Sequence, residues 1–325
     1  MLNSSSMQNL ISALHKPLYS DIDVRKHLPQ KRPLLAHYTS VDNLRNIVVG
    51  EELWLSNPLS MNDYEELYFG LHHGLQAIRA HKDLTQACEA LGCYNEFTSA
   101  LDACSHRFDS EHALDTYVAC FSEHDPIRDA DGRLSMWRGY GGNGSGAAIV
   151  IDTAQLNMTE LSPFLIAPVE YLSTEARLAW INLRLDLFTT TLQQLQINKN
   201  NAGLAAAMLF QRLLQASLFS KHHGFAEEQE WRVVYFPDRD RESILKSMFS
   251  YWIGPGGVQP KLKFRLVPLT GITAPDFGLE RLVHSIILGP IHNALSRRAT
   301  LRMLELERPS LANRLRVSST PFRPT

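Results

Sequence analysis

Seven short apolar runs constrain this chain more than any other feature: residues 34–38, 53–56, 117–121, 147–151, 231–236, 262–268 and 283–288. Each is four to seven residues long. That is strand length, and far below the 18 or so apolar residues a membrane-spanning helix needs. Between them lie helical patterns of unequal size. From 62 to 79, Leu67, Leu71, Leu75 and Ile78 recur at spacings of three and four. Further helix is expected over 83–114, over 173–222 with a break near 198–201, and over 295–306, with a last extended stretch at 315–322. Ser40 is placed to cap a helix over 41–49, and Gly50 to stop it. Strands and helices do not alternate regularly, which argues against a doubly wound parallel sheet. The expectation is an α+β fold: one mixed or antiparallel sheet in a single domain over 33–325. Helical insertions are expected at about 66–115 and 173–223, after a leader of residues 1–32 with a short helix near 7–14.

Composition narrows the function classes. Hydrophobic residues are 44% and charged residues 20% of the 325, which is globular rather than disordered. Lys and Arg total 32 against 34 Asp and Glu, so bulk charge gives no reason to expect a general polyanion binder. The four cysteines, Cys88, Cys93, Cys104 and Cys120, form neither a disulfide scaffold nor a Cys-x-x-Cys knuckle. No metal site is expected. No basic stretch followed by an apolar one opens the chain, so a cytoplasmic protein is expected. The glycine turn at 139–146 runs into a strand rather than out of one and lacks a Gly-Lys-Ser/Thr ending, which excludes a Walker-type phosphate loop.

Four polar clusters sit at the ends of apolar runs. His37, Tyr38, Thr39 and Ser40 either project into a cleft or amount to a satisfied core histidine and a helix cap. Asn62 and Asp63 either wall a cleft or start a helix. Trp137 and Tyr140 either stack on a planar ring or pack as core aromatics. Glu228, Glu230 and Arg232 share one strand face if the strand already begins at Glu228. Glu230 and Arg232 then form either a solvated surface couple or a carboxylate held at the mouth of a cleft.

The order of these pieces resembles a bacterial family of uncharacterised proteins labelled as a domain of unknown function. The resemblance runs over about residues 34–323. It is carried by His37-Tyr38-Thr39-Ser40, Leu53-Trp54-Leu55-Ser56-Asn57-Pro58, Asn62-Asp63-Tyr64-Glu65, Cys120-Phe121-Ser122, Met136-Trp137-Arg138-Gly139-Tyr140-Gly141 and Glu227-Glu228-Gln229-Glu230-Trp231-Arg232. The strand holding His37, the helix with Asn43, Leu44 and Ile47, and the strand ending in Ser56 also look like the opening of ADP-ribosyltransferases, nearest their DNA-modifying toxin branch. That resemblance implies an ADP-ribosyltransferase-like core and NAD as substrate. It makes Glu230 the catalytic glutamate, and His37, Tyr38, Thr39, Ser56, Asn62, Trp137, Tyr140, Glu228 and Arg232 the cofactor-binding residues. It also implies a macromolecular acceptor, nucleic acid or protein, and a toxin or antiviral defence role with a partner that restrains it. A non-catalytic ligand-sensing or interaction protein and a metal-independent nuclease are the alternatives.

Overall fold

The computed structural model describes residues 4–61, 64–156, 162–254 and 257–322. The strands are β1 Leu34–Thr39, β2 Glu52–Ser56, β3 Tyr117–His124, β4 Ala147–Asp152, β5 Phe164–Pro168, β6 Glu170–Leu172, β7 Ser220–His222, β8 Glu230–Tyr235, β9 Phe249–Gly254, β10 Gly257–Arg265, β11 Val283–Leu288 and β12 Leu315–Val317. The helices are α1 Ser4–Tyr19, α2 Val41–Gly50, α3 Tyr64–Ala80, α4 Lys82–Ala90, α5 Tyr94–Arg107, α6 Leu134–Gly139, α7 Thr174–Gln194, α8 Ala202–Leu218, α9 Leu279–Leu282, α10 Ala294–Glu307 and α11 Pro309–Ala312. The fold is α+β with one large mixed sheet. None of the described helices is long and apolar enough to cross a membrane.

The chain divides into two compact units, each assembled from three segments. The sheet unit comprises Val24–Asn57, Thr116–Val169 and Phe225–Thr325. Its ten strands run in the order β12-β11-β4-β1-β3-β2-β10-β9, with β8 on β3 and β5 on β8. Every pairing in this sheet is antiparallel except β11 with β12. One face buries the larger core, including Leu35, Phe121, Ile149, Trp231, Phe264 and Ile286. On the other face, Met136 and Trp137 of α6 cover Ala36, Tyr38, Ala148, Val150 and Ile287. Ser40 caps α2, its hydroxyl accepting the Asn43 N–H at 3.1 Å. Gly50 does not stop that helix. It is the last helical residue, and the left-handed position belongs to Glu51 at φ 51°. The Glu51 carboxylate is paired with Arg308 at 3.2 Å, which holds the chain where a glycine would be the usual choice.

The helical unit comprises Met1–Asp23, Pro58–Asp115 and Glu170–Gly224. It holds α1, α3, α4, α5, α7 and α8 with the parallel pair β6–β7. The segment expected as a leader supplies α1 here, and Leu10, Leu14 and Leu18 of that helix are buried. Buried Arg212 of α8 fixes the C-terminal end of α1. Its Nε donates to the Leu18 carbonyl at 2.8 Å and its Nη2 pairs with Asp21 at 2.8 Å. The α3–α8 contact depends on two glycines. A Cβ on Gly70 would lie 2.1 Å from Ser217 Oγ, and one on Gly74 would lie 2.2 Å from a Leu213 methyl. Spacing of four puts both on one side of α3, so the helices approach at backbone distance.

Two glycine substitutions separate packing from helix propensity. Gly70→Val should lower stability by about 1–3 kcal/mol through overpacking. Gly50→Ala meets nothing within 4 Å and should raise it by up to about 1 kcal/mol. Urea unfolding of both variants checks the opposite signs.

Candidate functional site

The sheet forks at β3. On one edge, β8 pairs with β3 continuously from Tyr117↔Tyr235 to Ser122↔Glu230. The opposite edge is shared. β1 takes its far end, with Ala36↔Ser122 and Leu34↔His124, and β2 takes its near end, with Ser56↔Val118. Ala119, Cys120 and Phe121 lie between the tines of this fork. The Glu123 N–H bonds the Gln229 carbonyl on the β8 side. Backbone groups alternate along a strand, so the Cys120 carbonyl points into the fork. A carbonyl inside a sheet, shielded from water, needs a donor. The His37 ring supplies it, Nδ1 lying 3.0 Å from the Cys120 oxygen. A carbonyl only accepts, so Nδ1 carries the proton and Nε2 is left as an acceptor. Burial pushes the His37 pKa below its usual value, and the bond to Cys120 offsets only part of that.

Glu230 and Arg232 stand on the β8 side of this junction. They are buried, not a solvated couple: both side chains are only 5% exposed. Arg232 grips the carboxylate with two donors, Nε to Oε1 at 2.8 Å and Nη2 to Oε2 at 3.1 Å. Residues opposite each other in a ladder share a face. Glu230, Arg232, Cys120, Ser122, Ser56 and Tyr38 therefore share one face of the sheet, whereas His37 and Thr39 belong to the other, with Leu35, Ile149 and Phe121. The expected ligand-holding residues of β1 are thus divided between the two faces. Thr39 Oγ1 accepts from the Asn43 amide at 3.0 Å, a helix-start contact.

The expectation that Glu228 and Glu230 share a strand face is corrected. The strand begins at Glu230, and Gln229 at φ 42° turns the chain just before it. Glu228 ends the preceding 3-10 turn, and its carboxylate accepts from Tyr140 Oη at 2.9 Å. Its carbonyl accepts the Ser122 hydroxyl at 2.6 Å. Arg133, which no sequence pattern singles out, ties this corner together. Its guanidinium reaches the Asp129 carboxylate, the Glu227 carbonyl and the Gln229 amide oxygen. The Arg133 backbone N–H donates to Tyr38 Oη at 2.9 Å. Burial raises the Tyr38 pKa to about 12, so the phenol stays neutral.

Trp137 is fully buried, packs edge-on to Tyr38 at 4.8 Å and donates its indole N–H to the Asp131 carbonyl. A ring so enclosed offers no face to a ligand. Tyr140 is 45% exposed and keeps that possibility. Ser56 accepts from Lys261 Nζ at 2.8 Å, and burial lowers the pKa of that lysine. Asn62 and Asp63 lie outside the described residues. Glu230, Arg232, Ser122, Tyr140, Glu228 and Arg133 thus form one polar corner within the sheet unit, able to hold hydroxyl and amide groups of a ligand.

Residues 136–233 match the family model described as a protein of unknown function, DUF2971. The match spans less than a third of the chain. It supports the expected resemblance to a family of unknown function, beginning at the α6 aromatics and ending just after Arg232. It takes in Trp137, Tyr140, Glu228, Glu230 and Arg232, and leaves out His37, Tyr38, Thr39, Ser56 and Asn62. No curated protein and no solved structure matches the chain.

Removing one partner of a buried ion pair strands the other. Arg232→Met should cost about 3–5 kcal/mol, and Glu230→Gln combined with Arg232→Met should cost clearly less than the sum of the single changes. A double-mutant cycle in urea measures this. The lowered His37 pKa means that the unfolded chain binds this proton more readily. Its contribution is therefore complete above about pH 6.5 and is lost as pH falls below that. His37→Gln should flatten this acid limb by up to about 1.4 kcal/mol per pH unit, read from denaturant midpoints between neutral and acid pH.

Proposed function

We propose that the chain is an NAD-dependent ADP-ribosyltransferase that modifies a macromolecular acceptor, as a toxin or phage-defence effector, with Glu230 as its catalytic carboxylate. The observation that carries this reading is a buried glutamate at the first position of β8, beside the fork, held by a bidentate arginine. Cleavage of the nicotinamide–ribose bond passes through an oxocarbenium-like ion, as glycoside cleavage does. A preorganised carboxylate out of bulk water stabilises that charge strongly. The C–N bond electrons leave with nicotinamide, an acceptor nucleophile bonds to the ribose carbon, and its proton passes to a base. Arg232 fixes the position of the carboxylate with its two donors. Tyr140, half-exposed and bonded to Glu228, supplies an aromatic surface near the same corner.

One observation favours the second reading, a ligand-binding module without turnover. Both carboxylate oxygens of Glu230 already accept from Arg232, as in a structural pair. Nicotinamide release from NAD, with cell lysate supplied as acceptor, separates the two. The parent protein should release nicotinamide. Glu230→Gln should lower the rate by about 10²-fold or more, and Cys120→Ser should leave it largely unchanged. Absence of release in the parent would favour the binding module, and a large loss in Cys120→Ser would point to a thiol mechanism.

A further inference from the structure

Behind the polar corner, on the opposite face of the sheet, the core of the sheet unit is incompletely filled. A cavity of about 80 Å³ lies among β2, β3, β5, β8 and β10, roofed by residues 266–282. Protein interiors leave few voids larger than a water molecule. Of the described side chains around this one, only Ser162 and Thr273 are polar. Both hydroxyls are engaged with nearby backbone: Ser162 Oγ accepts the Phe164 N–H at 3.2 Å, and Thr273 Oγ1 accepts the Leu269 N–H at 2.6 Å. The described lining therefore offers a water few polar partners.

The void is held open by rigid walls. Phe164 and Phe264 meet edge-to-face at 4.9 Å, and Phe264 and Phe277 pack at 6.1 Å. Atoms lining an empty space lose their dispersion partners on that side, so an apolar occupant regains them. Leu156, Thr273 and Ala274 at the rim are only half-buried, whereas Leu55, Phe121 and Phe264 at the floor are buried. The volume is about half that of the engineered 150 Å³ cavity that accepts benzene.

We infer that this cavity is a binding site for a short uncharged alkyl group of about three or four carbon atoms, such as the end of an acyl or branched aliphatic chain. The described lining carries no charge, so the polar part of such a ligand stays outside, at the Thr273 rim. The inference does not depend on Glu230 or on NAD.

Methyl NMR of the full-length protein with xenon and then 2-methylpropane as probes tests this. Xenon should shift the lining methyls of Ile151, Ile166 and Ile272 saturably, and 2-methylpropane should displace it. Ala274→Leu, which fills the space, should abolish both effects without lowering the melting temperature. If that variant does not fold, Leu282→Phe serves the same purpose. No shift at those methyls, shifts that persist in the folded filling variant, or xenon that 2-methylpropane cannot displace would each overturn the inference.

Discussion

The bond from the His37 ring to the Cys120 carbonyl lies where the sheet divides. β3 has three strand partners but only two edges, so β1 and β2 must divide one edge between them. Dividing an edge leaves backbone groups between the two tines. In a buried sheet an unmet carbonyl costs about 1–3 kcal/mol. A donor at that point must reach sideways from a neighbouring strand and must carry no lasting charge. A neutral imidazole meets both conditions, and its lowered pKa keeps it neutral. The fork in turn lets the sheet open beside Ser56 on one tine and Ala36 on the other.

The α+β class, the central strands and the long helices were legible because they depend on local signals. Apolar runs of strand length and leucines at helical spacing survive whatever surrounds them. Strands β6, β7 and β9 carried no comparable signal, whereas β5 has an apolar run at 164–167 that is not among the seven runs expected as strands. β6 and β7 have three residues each, and β9 is an edge strand whose Tyr251 and Ile253 are exposed, so neither alternation nor burial marks it. Gly50 misled for a related reason. Glycine is a common helix stop, yet the ion pair of Glu51 with Arg308, 257 positions along the chain by their numbers, holds the left-handed turn instead. Long-range contacts of that kind are invisible in a local window.

The candidate site was legible as a set of residues and not as an arrangement. Alternation was read correctly from Glu230 to Arg232, because both lie in a regular strand. It failed at Glu228, where one residue at positive φ ends the two-residue repeat. Burial was the other unseen quantity. A Glu-x-Arg pair at a strand start reads as a surface couple unless the rest of the fold is known. The division of β1 follows from the same period: His37 and Tyr38 are neighbours in sequence and therefore face opposite ways.

In β8 the alternation is clean: polar groups face one side and core groups the other, so the polar corner and the apolar cavity lie on two sides of one thin layer. Trp231 and Val233 anchor β8 in the core while Glu230 and Arg232 face away from it. Rigidity of the carboxylate therefore comes from aromatic packing behind it as much as from the arginine beside it. On the transferase reading, a carboxylate so fixed supplies the preorganisation that stabilising a short-lived cation requires.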